Sequence, residues 1–358
     1  MRYSLIIPVY NRPDEVAELL HSLTKQTCRD FDVHIVEDGS DVPCREVCDH
    51  FSNRLDIHYY VKENGGPGRA RNYGAERAAG DYMIVLDSDV VLPSGYLAAV
   101  DEALKSREAD AFGGPDRAHP DFTPLQKAIS YAMTSFFTTG GIRGGKQKLD
   151  KFYPRSFNMG VRRQLWHQLG GFRQMRFGED IDFSYRMEKA GARMCLFPDA
   201  WVWHKRRTDF RRFFRQVNNS GKARINLHLL HPGTMKVVHL LPAVFTVGCV
   251  MLALLLVWGL LLFFFGPDHM SRSFGLALCG LCVALPLLYA LVIFVDSSVR
   301  NRSLWVGLLS VPASFIQLIG YGTGFLSAFW RRIVLKQQEE GFDSNAELYG
   351  SATSARQG

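Results

Sequence analysis

Cysteine is scarce in this chain of 358 residues: there are seven, an odd number, which excludes a disulfide-stapled secreted scaffold and suits a reducing compartment. The lysine of a Walker loop and the GxGxxG spacing are also missing. The glycine-rich stretch Asn64-Gly65-Gly66-Pro67-Gly68 therefore supports neither a P-loop nor a Rossmann dinucleotide site. An EF-hand is excluded around Asp87–Asp89, because the remaining loop ligands are absent. Met1–Tyr10 holds no apolar region or cleavage site of a secretory signal, so none is expected there. Charge is missing from three long stretches, residues 239–265, 274–295 and 303–330.

What is present excludes disorder, since 47% of residues are apolar and 12% aromatic. The length suggests two domains at about 150 residues each. A net charge of +7 first suggests nucleic acid, but it is local. Nine Lys and Arg and one acid, Asp209, fall between Ala200 and Lys236, leaving the rest of the chain close to neutral. Each uncharged stretch that follows exceeds the ~20 residues needed to cross a bilayer as a helix. The third is a weaker signal, interrupted by Ser310, Pro312, Gln317, Gly320, Gly322 and Gly324, but is still read as a span; its Gly and small residues would serve equally as close helix-packing positions. The basic run is thus expected to dock on a membrane surface, with no nucleic-acid partner.

Lys and Arg placement puts the N-terminal two-thirds in the cytoplasm. Three crossings would then leave the tail outside, although Arg331, Arg332 and Lys336 follow the last stretch, against the same rule. A re-entrant third segment is the alternative. Cys279 and Cys282 have CxxC spacing but lie within an apolar stretch, where they read as small apolar residues.

The first 200 residues alternate strand and helix signals. YSLIIPVY, DVHIVEDGS, IHYYVKENGG and DYMIVLDSD read as strands; Pro13–Lys25, Arg69–Ala79 and Gly95–Ser106 read as helices. This order predicts an α/β fold with a doubly wound, mainly parallel sheet and ligands at the C-terminal strand ends. Those ends carry Tyr10-Asn11, Asp38-Gly39-Ser40 and Asp87-Ser88-Asp89. Asp38-Gly39 alone is an ordinary strand-ending turn. Asp87 and Asp89 repel one another unless a cation or donors face them, and a hard divalent ion on a diphosphate would meet that need. Further on, Glu179, Asp180 and Asp182 open a helix. For Asp182 the expected role is at the helix N-terminus, where acids meet the positive dipole end.

Together IIPVYNR, VEDGS, NGGPGRARNYGA, IVLDSDV, FNMGVRR and GEDIDFSYR resemble, in order and spacing, the family 2 glycosyltransferases of the GT-A fold. The resemblance implies a nucleotide-sugar donor. Pro8 and Tyr10 would line the nucleoside pocket, Asp38 would bond the base, and Gly68 and Arg71 would lie where the glycine-rich loop approaches the donor. Asp87 and Asp89 would form the DxD motif, with Asp87 toward the ribose and Asp89 holding Mn2+ or Mg2+. His204 stands where several such enzymes place a further metal ligand. Asp180 would be the general base, since a sugar hydroxyl is a poor nucleophile near neutral pH.

The expected layout is a catalytic domain over 1–205, a basic amphipathic interfacial segment over 206–236, a membrane region over 237–332 with helices near 239–265, 274–296 and 303–330, and a polar tail over 333–358. The expected activity is inverting transfer to a hydroxyl of a lipid-linked or envelope glycan at the inner membrane. The alternative is a polyprenyl-phosphate glycosyltransferase, whose anionic acceptor needs no base; the ED pair argues for a hydroxyl. QxxRW is not matched near Gln216, Asn218 and Asn219, which argues against a processive synthase.

Overall fold

The computed structural model describes residues 1–117, 119, 121–139, 152–175, 177–205 and 208–337. Arg206 and Arg207 of the basic run, and the tail from 338, lie outside the described residues. The chain forms two compact units, one of residues 1–119 and 152–205, the other of 121–139 and 208–337.

The first unit follows the expected alternation. Its elements begin with β1 (Tyr3–Val9), α1 (Pro13–Leu23), β2 (Phe31–Asp38), α2 (Arg45–Phe51) and β3 (Ile57–Lys62). Then come α3 (Pro67–Ala75), β4 (Tyr82–Leu86), β5 (Val90–Val91), α4 (Tyr96–Ser106), β6 (Ala111–Gly113) and β7 (Asp116–Arg117). The chain leaves this unit for α5 (Pro124–Thr134) and α6 (Phe136–Thr139). It returns with β8 (Asn158–Arg162), α7 (Arg163–Leu169), α8 (Glu179–Lys189), β9 (Met194–Leu196) and β10 (Val202–His204). Residues 121–139, expected within the catalytic domain, thus cluster with the second unit.

Seven strands form one sheet in the order β3-β2-β1-β4-β8-β6-β9. The strands β3, β2, β1 and β4 are parallel, and β8 alone runs against its neighbours. The continuous apolar runs of β1 and β4 are buried because helices cover both faces. On one face Val16, Leu19, Leu20 and Leu23 of α1 pack with Leu97 and Val100 of α4 against Leu5, Ile7 and Ile84. On the other, Trp166, Phe183 and Met187 meet Ile6, Met83 and Val85. The strand order reverses between β1 and β4, which opens a crevice at their C-terminal ends. A second sheet, β5-β10-β7, stands beyond β4.

Buried Ser4, Asp32 and His34, with the exposed Arg2 and His58, tie the other end of the sheet. The Asp32 carboxylate, nearly inaccessible, accepts from Arg2 Nε and Nη2 at 3.1 and 2.8 Å and lies 3.0 Å from His34 Nε2. His34 in turn stacks on His58 at 4.8 Å. Burial alone would raise the Asp32 pKa, but hydrogen bonds from His34 and Ser4 and the nearby Arg2 hold it at about 2. A depressed carboxyl stabilises the fold above its unfolded value and loses that contribution as pH falls through its folded value. Asp32→Asn should therefore melt lower than the parent at pH 6, by up to about 2 kcal/mol, with the gap closing between about pH 4 and pH 2. Circular-dichroism melts of both chains across that range check it; a gap independent of pH would contradict it.

In the second unit, α9 (Phe210–Leu230) is one helix, capped by Asp209, whose Oδ1 accepts from the Arg212 N–H at 2.6 Å. It is followed by α10 (Val237–Phe265), α11 (His269–Asn301) and α12 (Leu304–Phe329), which runs into a π-helical turn, Trp330–Val334. All three are long and apolar enough to cross a membrane. They differ in burial, however. The most apolar windows of α10 and α11 are 6% and 11% buried, that of α12 39%. Cys279 and Cys282 pack as small apolar residues along α11, Cys279 Sγ lying 3.7 Å from the Leu256 carbonyl. Residues 121–139 join this unit because Ile129, Ala132 and Met133 of α5 pack with Phe213 and Val217 of α9 and Ala313 of α12.

Candidate active site

The three polar clusters expected at the strand ends do meet at one edge. At the end of β1, Asn11 takes a positive φ of 53°; its N–H donates to Ser40 Oγ at 2.8 Å, and its Oδ1 accepts from the Val42 N–H at 2.9 Å. This ties the end of β1 to the turn after β2. Gly39 in that turn has φ +71°, and a Cβ there would lie 2.7 Å from the Asn64 nitrogen. Only glycine fits that approach.

Asp38 organises the glycine-rich loop. Its Oδ1 accepts from Lys62 Nζ at 2.5 Å and the Gly65 N–H at 2.9 Å, and Oδ2 from the Gly66 N–H at 2.8 Å. Both oxygens are thus occupied by the loop. Pro8 lies within β1, and Tyr10 just beyond it is half-exposed. Gly68, in the first turn of α3, packs on protein: a Cβ would sit 3.4 Å from the Arg173 carbonyl and 3.7 Å from Glu179.

Arg71 holds the two acidic motifs together. It is buried, with Nη2 2.8 Å from Asp87 Oδ1 and Nη1 2.7 Å from Glu179 Oε1, and its guanidinium lies over the Phe172 ring. Buried carboxylates require such a partner. Burial pushes the Glu179 carboxyl up and the like charge of Asp180 adds to this, while Arg71 pulls it down.

Asp89 and His204 are brought together by strand pairing. β10 runs antiparallel to β5 with His204 opposite Val90, and the Lys205 N–H reaches the Asp89 carbonyl at 3.1 Å. Asp89 Oδ2 accepts from Arg12 Nη1 at 2.7 Å. Its Oδ1 lies 3.3 Å from His204 Nε2, outside hydrogen-bond geometry. Burial alone would raise the Asp89 pKa, yet His204 and Arg12 hold it well below the ordinary carboxylate range. The His204 ring stacks on Phe157, at 5.0 Å between centroids.

Asp87, Asp89 and His204 each offer a ligand atom, and these atoms lie within 4.8 Å of one another. Asp89 Oδ1 and His204 Nδ1 are buried without a hydrogen bond among the described residues. Two carboxylates and an imidazole, with a buried unpaired oxygen among them, fit a divalent cation. Asp32, His34 and His58 also cluster, but the Arg2 guanidinium already neutralises that carboxylate.

Asp180 is the second residue of α8, after Gly178 in the left-handed region. Its Oδ1 accepts from the Ile181 N–H at 2.8 Å, and Oδ2 lies 2.8 Å from Arg155 Nε. The Asp180 carboxylate thus lies at the positive end of α8 and beside the Arg155 guanidinium. Asp182 lies in the first turn of α8, as expected, although Gly178 holds the cap position itself; fully buried, Asp182 also pairs with Arg186 at 2.8 Å and Arg173 at 3.3 Å.

Sequence reasoning missed Arg12 and Arg155 as partners of Asp89 and Asp180. Arg12 ends the IIPVYNR string, which was the available signal; Arg155 carried none.

Residues 4–170 match the model of glycosyl transferase family 2. The chain is 26% identical over 375 residues to the pre-mycofactocin glycosyltransferase of Mycobacterium tuberculosis, covering 98% of this chain and 75% of that one. It is 29% identical over 152 residues to a poly(ribitol-phosphate) β-N-acetylglucosaminyltransferase, TarS, of Staphylococcus aureus, covering 37% of this chain and 26% of that one. It spans well under half the length of several other curated glycosyltransferases it matches. Its fold is similar to that of a mannosyltransferase of Pyrobaculum calidifontis solved with GDP-Man and Mn2+: the TM-score is 0.56 at 16% identity, over 92% of this chain and 88% of that one. Residues 4–170, then, match the family 2 glycosyltransferases, and the fold is of the GT-A type, followed by three C-terminal helices apolar enough to cross a membrane.

Proposed function

We propose that this glycosyltransferase moves a sugar, with inversion, from a nucleotide-sugar to a hydroxyl of a lipid-linked or cell-envelope glycan at the cytoplasmic face of the inner membrane. The observation that carries the reading is the pairing of a divalent-cation donor set with the ED carboxylates through one buried guanidinium. The nucleoside would lie against Pro8 and Tyr10, in the crevice at the ends of β1 and β2, with Asp38 bonding the base or holding the loop that shapes its pocket.

Asp87, Asp89 and His204 would hold Mn2+ or Mg2+, which neutralises charge on the departing diphosphate when bound. Arg71 fixes Asp87 and Glu179, and so the start of α8. Asp180 takes the proton of the acceptor hydroxyl as that oxygen attacks the anomeric carbon from the face opposite the diphosphate. The new glycosidic bond forms as the bond to diphosphate breaks, and the nucleoside diphosphate leaves with the electron pair. The relatives support the acceptor class: one acts, by its name, on poly(ribitol-phosphate). The Pyrobaculum enzyme holds a donor of the class this reading requires.

Purified protein screened against nucleotide-sugars with Mn2+ or Mg2+ tests the reading; no hydrolysis or transfer from any of them would overturn it. Within that screen, His204→Ala should raise the Mn2+ midpoint about 10- to 100-fold. An unchanged midpoint removes His204 from the ligand set.

A further inference from the structure

The three apolar helices of the second unit are not equivalent. α10 and α11 form an antiparallel hairpin closed along its length. A Cβ on Gly259 would lie 3.0 Å from the Gly275 carbonyl, Trp258 meets Phe274, and at the other end Phe245 meets Tyr289. The start of α10 and the end of α11 therefore share one membrane face.

Both ends of α12 meet the hairpin at that face. In its first turn, a Cβ on Gly307 would lie 2.9 Å from the Phe294 carbonyl, and Ser310 bonds the buried Ser297 at 2.7 Å, both near the end of α11. Its last turns, Phe325 and Ala328, cluster with Ala243 near the start of α10, with Met235 and Ile333 alongside. Between them, Phe315 meets Tyr289, and Gly322 closes on the Pro242 carbonyl. A 26-residue helix is about 39 Å long. Had it run across the bilayer beside α11, its end would stand by Phe265. Instead Leu254, Val257 and Leu261 of α10 and Leu281, Leu287 and Leu288 of α11 are exposed.

The other face of α12 is taken by a helix that hydrocarbon would not accept. α9 runs alongside it, with Phe213 and Val217 against Ala313, and Ile225 against Phe325 and Ala328. Backbone meets backbone where a Cβ on Gly221 would fall 2.8 Å from the Phe325 nitrogen, and Asn218 Nδ2 donates to the Gly320 carbonyl at 3.2 Å. Yet α9 carries Arg211, Arg212 and Arg215 exposed. A charged side chain at the bilayer centre costs at least about 2.5 kcal/mol each.

We propose that α12 does not cross the membrane. It lies with α9 along the face shared by the start of α10 and the end of α11, dipping at most about 14 Å, the rise from Ser298 to Tyr289, before returning. Arg211, Arg212 and Arg215 then lie among anionic headgroups. Only α10 and α11 cross, so the residues after α12 stay on the face where α9 begins. This removes the conflict over Arg331, Arg332 and Lys336, which join Arg300, Arg302 and Lys236 on one side. It also gives the glycines of α12 a role, as the surface on which α9 and α10 close.

The test uses the full chain in sealed membrane vesicles of both orientations. A short epitope is inserted singly after Gly233, after Pro267 or after Gln337 and read by an impermeant antibody. The epitopes at 233 and 337 should be accessible in one vesicle orientation and that at 267 in the other. If 337 follows 267, α12 crosses and the proposal falls; if all three follow 233, the hairpin does not cross and it falls as well. The readout needs no activity, so it is independent of the donor screen; measuring donor hydrolysis in the same vesicles confirms that each inserted chain is folded.

Discussion

Asp180→Asn should lower kcat for transfer to a hydroxyl acceptor by about a hundred- to ten-thousand-fold, while donor binding in the presence of Mn2+ changes little. The asymmetry follows from position. Asp180 is no member of the donor-side group of Asp87, Asp89 and His204, and its contacts are the Ile181 N–H and Arg155. Asparagine keeps the shape and the bond to the Ile181 N–H but cannot accept a proton. Steady-state kinetics with a glycan acceptor, paired with calorimetric donor binding, separate the two effects. Transfer undiminished with a polyprenyl phosphate acceptor would identify the reaction as the one needing no base, and undiminished transfer to a hydroxyl would remove Asp180 as base.

The second large effect is expected at Arg71. Arg71→Met leaves Glu179 and Asp87 without their shared cation, one of them deeply buried, and should destabilise the first unit by about 3–5 kcal/mol. Arg71→Lys should recover only part of this, since a single ammonium cannot place two forked donors on two carboxylates. Pairing Arg71→Met with Glu179→Gln should restore stability without restoring donor affinity, because Asp87 remains unpaired. Thermal melts of the single and double variants, read as a double-mutant cycle, measure the coupling. Additive losses would mean that the bridge is not a unit.

Much of the first unit was legible because its strands are continuous apolar runs ending in short polar strings. β1, β3 and β4 fall within the runs read as strands, β2 begins one residue before its run, at Phe31, and α1 and α4 lie within two residues of the expected bounds. α3 begins two residues earlier than expected, at Pro67, whose fixed φ suits a first helical turn. The seven-residue α2 was missed because so short a helix has almost no periodicity to display. The reversal of β8 was not legible either, for direction leaves no mark on composition.

At the site, the acids were visible and their partners were not. Arg71 and Glu179 are 108 positions apart, and their contact follows from how α3 and α8 pack on the sheet, which no local pattern encodes. The register of β5 against β10, which sets His204 beside Asp89, is equally non-local.

The glycine seam between α10 and α11 bears on where the product can go. With Gly259 and Gly275 in backbone contact and Cys279 Sγ against the Leu256 carbonyl, the hairpin has no lumen, and among the described residues no other element lines its distal half. Among the described residues these two helices thus enclose no conduit for a sugar. On the proposed reading, a glycan extended at one membrane face would stay there until a separate transporter carried it over, unlike a polymer threaded outward as it is built.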